Sequence, residues 1–71
     1  MTAKIIDSQT IGERLRSLRG AKTQKEIGDA IGVTAMAISQ YERGERVPAD
    51  DIKVALARYF NSTVEAIFFT F

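Results

Sequence analysis

Between residues 24 and 44, QKEIGDAIGVTAMAISQYERG, two short apolar-periodic runs stand on either side of Gly32. The gap between them is too small for anything but a tight corner joining two helices. Ile27, Ile31 and Ile38 are placed to meet inside that corner, and Gly28 falls where two helix backbones would nearly touch. Gly32 supplies the positive φ that lets the chain turn at once. The second helix, about Thr34 to Arg43, then turns its Ala35, Met36 and Gln40 side outward.

The flanking sequence supplies more short helices. Thr10 and Glu13 read as a capping box that opens a helix of roughly Thr10 to Arg19, with Ile11, Leu15 and Leu18 as its apolar stripe and Gly20 at its end. Thr23 and Glu26 form a second capping box, followed by Ile27, Ala30 and Ile31 as a buried stripe. Thr34 caps the third helix, whose buried side carries Ala37, Ile38 and Tyr41, and Gly44 ends it. Glu45 to Val47 is extended, because the residue before Pro48 avoids the helical region. Asp50 and Asp51 favour the start of a fourth helix, where the dipole welcomes negative charge; Ile52, Leu56, Tyr59 and Phe60 form its apolar face. Asn61 closes that helix, and Thr63 starts a fifth with Val64, Ile67 and Phe68. The expected fold is therefore all-α: a single compact five-helix domain over residues 1–71. Residues 1–9 form an N-terminal extension and residues 69–71 an aromatic tail.

A chain of 71 residues buries only about 60% of its unfolded surface, so its helices must pack well. Cysteine and histidine are both absent, which excludes disulfides, thiolate metal sites and the commonest general base. No Ser-His-Asp or Cys-His set and no phosphate-cradling glycine loop is present, so no enzymatic activity, cofactor, metal or small-molecule ligand is expected. Ten Lys and Arg face nine Asp and Glu; a nucleic-acid partner would require the positive charge to be gathered on one face. The start, MTAKIIDSQT, lacks the apolar run of a signal peptide, and no stretch approaches the ~18 apolar residues of a membrane span. A cytoplasmic protein without a membrane partner is the expectation.

In register, Thr23, Gln24, Glu26, Ile27, Gly28, Ile31, Gly32, Val33, Thr34, Ile38, Ser39, Tyr41, Glu42, Arg43, Gly44 and Pro48 resemble the helix-turn-helix of the phage repressor and Cro-like (XRE-like) family. The resemblance extends through LARYFNSTVEAIF and back into RLRSLR. It implies a five-helix DNA-binding domain, bacterial or phage-encoded, acting as a homodimer on a two-fold symmetric operator in double-stranded DNA. The chain departs from the family pattern in three places. The Gly20-Ala21-Lys22 connection is shorter than usual. Gly28 replaces a more usual alanine, at a cost to helix stability of up to ~1 kcal/mol. The recognition helix opens on Ala35-Met36-Ala37, where many members are polar.

On that frame the readout set is small. Gln40 suits bidentate bonding to adenine, while Ala35 and Met36 offer apolar contact to a thymine methyl. By resemblance, Gln24 bonds a phosphate together with the free amides at the start of its helix. Arg43 and Arg46 grip the backbone on the far side, with Lys22 and Lys25 beside Gln24 and with Ser39 and Thr34 within reach of phosphate. Glu42 and Arg19 resemble the family's ion pair between the third and first helices. Arg14 and Arg16 read as solvent-facing, and Tyr41 and Tyr59 as core residues.

Phe68 fits a core position, but Phe69 and Phe71 exceed what a small core absorbs. An exposed apolar patch of this kind marks an interface. Ile67, Phe69 and Phe71 are the expected dimer contact, with Ile5 and Ile6 as a short strand beside the tail. The rival expectation is a protein-interaction module on the same fold, antirepressor-like or antitoxin-like, which the apolar Ala35-Met36-Ala37 face and the near-neutral charge would suit.

Overall fold

The computed structural model describes residues 7–70, within which five helical segments and no strand are found. They are α1 (Ser8–Arg19), α2 (Gln24–Ile31), α3 (Ala35–Glu42), α4 (Asp50–Tyr59) and α5 (Glu65–Phe69), the last a short turn of π type.

At the starts of α1, α2, α3 and α5 a side chain satisfies free amides. For α1 that residue is Asp7, whose carboxylate accepts from the amides of Gln9 (3.1 Å) and Thr10 (3.2 Å). The Thr10 hydroxyl donates to the same carboxylate at 2.9 Å. The expected capping box at Thr10 and Glu13 is thus replaced by an aspartate cap three residues earlier. Asp7 prevails because one carboxylate satisfies two amides and leaves Thr10 free to sit in the first turn. Residues 8 and 9 accordingly belong to α1 and not to an extension. The proposed Ile5 and Ile6 strand and Phe71 lie outside the described residues. Thr23, Thr34 and Thr63 cap their helices as expected, accepting at 3.0 Å from the amides of Glu26, Ala37 and Ala66. At the end of α4, Asn61 is left-handed (φ 55°), and the Ser62 amide closes back on the Ala57 carbonyl at 2.8 Å.

The core gathers residues from every helix: Ile11 and Leu15; Ile27; Ala37, Ile38 and Tyr41; Leu56 and Ala57; Ile67 and Phe68. Two expected stripe residues are outside it. Leu18 is 41% exposed, because α1 turns that side toward an open groove that it lines together with Ala66 and Ile67. Ala30 is exposed as well, and Gly28 takes its place on the buried side of α2. The helix rotates to bring its smallest residue, not a methyl group, against the turn.

Of two long cations, Arg14 differs from the sequence reading and Lys53 went unread in it. Arg14 does not face solvent alone: its guanidinium donates to the carbonyls of Ala66 (3.0 Å), Ile67 (2.9 Å) and Thr70, closing the end of α5. Lys53 is buried on α4 with its ammonium 3.5 Å from Asp50 and over the rings of Phe68 and Phe69. Among the described residues every buried side-chain polar atom has a partner.

Candidate nucleic-acid interface

Three residues, Gly32, Val33 and Thr34, join α2 to α3. Gly32 has φ 84°, a left-handed conformation that glycine adopts without a Cβ clash. The amides of Gly32 (2.8 Å) and Val33 (2.9 Å) both donate to the Gly28 carbonyl. The turn therefore folds back onto Gly28, and a Cβ there would sit 2.6 Å from the Val33 carbonyl oxygen. The expectation that Gly28 marks a close backbone approach holds, although the near neighbour is the turn, not the body of α3. Ile27 and Ile38 fill the inside of the corner, with Ile31 packed at its edge.

A single buried carboxylate fixes this corner to α1. Glu42, with only 2% of its side chain exposed, accepts from Arg19 Nε at 2.6 Å and Nη2 at 3.0 Å. Arg19 also donates to the Lys22 carbonyl at 2.8 Å, which pins the short α1–α2 connection. Gln24 Nε2 donates to Glu42 Oε1 at 3.1 Å. The expected Arg19–Glu42 pair is present, and its extension to Gln24 went unread in the sequence. Hydrogen bonding to Glu42 raises the Arg19 pKa; burial opposes this and the charge of Glu42 adds to it. A raised cation pKa contributes stability in full at any pH below the ordinary guanidinium value. That contribution is lost only as pH climbs through the raised value, so the clamp persists across the physiological range.

The outer side of α3 carries the expected readout residues. Met36 is 63% exposed, Ala35 and Gln40 are half-buried, and Ser39 is half-buried beside them. Gln40 sits at the surface, where Arg46 Nη1 reaches its Oε1 at 3.4 Å. The Arg46 guanidinium lies 5.6 Å from the centre of the Tyr41 ring, so one residue of the loop lies against two adjacent residues of α3's last turn. Thr34 is exposed at the N-terminus of α3, its hydroxyl engaged as the cap.

Around this ridge stand the expected phosphate-binding groups. Arg43 follows α3 and forms two hydrogen bonds with Glu45, at 3.0 and 3.1 Å. Those bonds, and then the carboxylate's charge, raise its pKa. Lys25 lies at the start of α2 and pairs with Asp29 at 2.8 Å, which likewise raises its pKa. Lys22 is turned toward α4, its ammonium 5.7 Å from the centre of the Tyr59 ring. Gln24 is half-buried, with its amide nitrogen held by Glu42 next to the first turn of α2. The corner thus brings Gln24, Lys25, Thr34, Ala35, Met36, Ser39, Gln40, Arg43 and Arg46 onto two adjoining helix ends and the outer ridge of α3.

The expected dimer residues divide. Ile67 is only 2% exposed and belongs to the protomer's own core, because the short α5 turns it inward beside Phe68. It lies inside the fold and presents no surface to a second chain. Phe69 is 44% exposed, over Lys53.

Among the described residues, no group of His, Cys, Asp or Glu is placed to hold a metal, and no helix is long and apolar enough to cross a membrane.

Comparison with known proteins agrees with this geometry. The chain is similar to the P22 c2 repressor solved in complex with a synthetic operator: 33% identity over 83% of this chain and 92% of that one, TM-score 0.80. It is similar to the restriction-modification controller protein C.AhdI from Aeromonas hydrophila, with 28% identity over 87% of this chain and 97% of that one, TM-score 0.78. It is also similar to the SOS-response transcriptional repressor LexA from Eubacterium rectale, with 31% identity over 90% of this chain and 72% of that one, TM-score 0.77. Comparison with curated proteins gives no match. The helix-turn-helix family profile matches residues 15–67, from the middle of α1 into α5. The chain belongs to the helix-turn-helix family, in its phage repressor and Cro-like (XRE-like) group.

Proposed function

We propose that this DNA-binding transcriptional regulator is a dimeric repressor of phage or mobile-element type. Each protomer lays α3 in the major groove, with the two recognition helices in successive grooves ~34 Å apart on a two-fold symmetric operator. Gln40 takes an adenine edge, and Met36 and Ala35 meet thymine methyl groups, so the half-site holds A·T pairs beneath these residues. Arg43 and Arg46 bind phosphate on one side. On the other, Gln24, Lys25 and the free amides of α2 bind phosphate, helped by the dipole of that helix end. Phe69 and Phe71 form the core of the two-fold contact. The protein acts in the cytoplasm by occupying DNA and has no catalytic role.

The observation that carries this reading is the ridge itself. An exposed Met36 and a surface Gln40 lie on one short helix, with Arg43 and Arg46 following its C-terminal end and Lys25 at the start of α2. The similarity to a repressor solved on its operator supports the same orientation.

The test is a titration of the duplex flanking the protein's own gene at several salt concentrations. Phosphate contacts give an affinity that falls steeply with salt. Absence of binding to that duplex, with retention of a protein partner instead, would favour the protein-interaction module. The apolar Ala35-Met36-Ala37 opening of α3 is the feature that suits that rival.

A further inference from the structure

Two cations of the proposed DNA face, Lys25 and Arg43, already hold anions. Between residues 22 and 46 the chain carries Lys22, Lys25, Arg43 and Arg46 against Glu26, Asp29, Glu42 and Glu45, so this stretch has no net charge. Glu42 is accounted for by Arg19 in the interior. Two of the other acids contact phosphate-binding candidates directly. Glu45 receives both Arg43 hydrogen bonds side by side, in the forked geometry that a guanidinium uses on a phosphate. Asp29 receives the Lys25 ammonium one helical turn away.

Stability does not explain these pairs. Lys25 and Asp29 have side chains 77% and 66% exposed, and Arg43 and Glu45 are 50% and 55% exposed. Exposed pairs of this kind contribute little, because water and salt screen them. Neither pair joins two helices: Lys25 and Asp29 share α2, and Arg43 and Glu45 are two residues apart at the end of α3. What sets them apart is position, since they occupy the surface that must approach a polyanion.

Building on the DNA-binding reading above, we infer that Glu45 and Asp29 are built-in phosphate surrogates that hold down sequence-independent DNA binding. A duplex must displace each carboxylate from its cation and leave it near a phosphate of like charge. That penalty falls on every sequence equally, because backbone contacts carry no sequence information. The base contacts of Gln40 and Met36 are untouched by it. The two acids therefore lower affinity for random DNA, and α3 must supply the difference at a true site.

The experiment measures binding of the full chain to a random-sequence duplex by fluorescence anisotropy across a salt series. Glu45→Gln and Asp29→Asn are compared with wild type and with Glu65→Gln, which removes an equal charge from α5. Thermal melts establish that every variant is folded, as substitution of such exposed residues predicts. Each face variant should bind about two- to fivefold more tightly than wild type. Its salt dependence should steepen by up to ~0.9 in logarithmic slope, while Glu65→Gln stays near wild type. In an Arg43→Gln background the gain from Glu45→Gln should shrink, because the surrogate then has no cation to occupy and only its repulsion of phosphate remains. Face variants that bind no more tightly than Glu65→Gln, or a Glu45→Gln gain that is undiminished without Arg43, would overturn the inference while leaving DNA binding intact. Failure of wild type and all variants to bind any duplex would instead overturn the DNA-binding reading on which the inference rests.

Discussion

Gly12 packs directly against the backbone of Glu42: a Cβ built on Gly12 would lie 2.3 Å from the Glu42 carbonyl oxygen and 2.8 Å from that of Tyr41. The close approach of α1 to the end of α3 is what lets Arg19, two turns further along α1, close on the Glu42 carboxylate. The angle of the recognition helix is therefore set by one missing methyl group and one ion pair.

Gly12→Ala should consequently destabilise the domain, although alanine is the better helix former by ~1 kcal/mol. The clash is with backbone, which cannot rotate away, and overpacking of this kind costs about 1–3 kcal/mol. Thermal and denaturant unfolding would check this. A melting temperature at or above wild type would show that α1 and α3 can separate freely.

The two halves of the Arg19–Glu42 pair should not be equivalent. Arg19→Met strands a carboxylate that is 2% exposed, and removal of a buried partner costs about 3–5 kcal/mol. Glu42→Gln leaves Arg19, 21% exposed, within reach of water and keeps an oxygen acceptor in place, so the loss should be nearer ~1–3 kcal/mol. Chemical denaturation of the two variants tests the order. Equal losses, or the reverse order, would contradict the geometry.

Phe69 offers a way to separate assembly from folding. It is 44% exposed and lies over the Lys53 ammonium, 5.0 Å from ring centre to nitrogen. Phe69→Glu places a carboxylate beside that cation, so the protomer should remain folded while the apolar contact is lost. Sedimentation at tens of micromolar should find wild type dimeric and the variant monomeric. A monomeric wild type would remove the proposed contact.

What the sequence disclosed was mainly what neighbouring residues decide among themselves. Thr23, Thr34, Thr63, Gly32 and Asn61 could be placed because capping and left-handed turns are set within a few residues. Where two local solutions competed, as between Asp7 and Thr10, pattern alone chose the wrong one. Gly12 faces backbone that arrives from α3, far along the chain, whereas the close approach at Gly28 was legible because its neighbours Val33 and Thr34 follow within the same corner. Periodicity favoured Ala30 over Gly28 because it scores apolarity and is blind to how near another chain segment comes. Arg14 and Lys53 escaped for the same reason, since their partners on α5 lie far along the chain. On the candidate interface, the outward residues of α3 were legible from helical spacing. The anionic partners Glu45 and Asp29 were present in the pattern, as charges two and four residues from their cations.

The central claim is that α3 reads base edges through Gln40. It is tested most directly by selecting bound sites from random duplex DNA with wild type and with Gln40→Ala. The account predicts a two-fold symmetric motif with A·T pairs in each half-site. In the variant one position per half-site should lose its preference, with binding to the wild-type site weaker by ~1–3 kcal/mol. No enriched motif for wild type, or an identical motif for the variant, would contradict it.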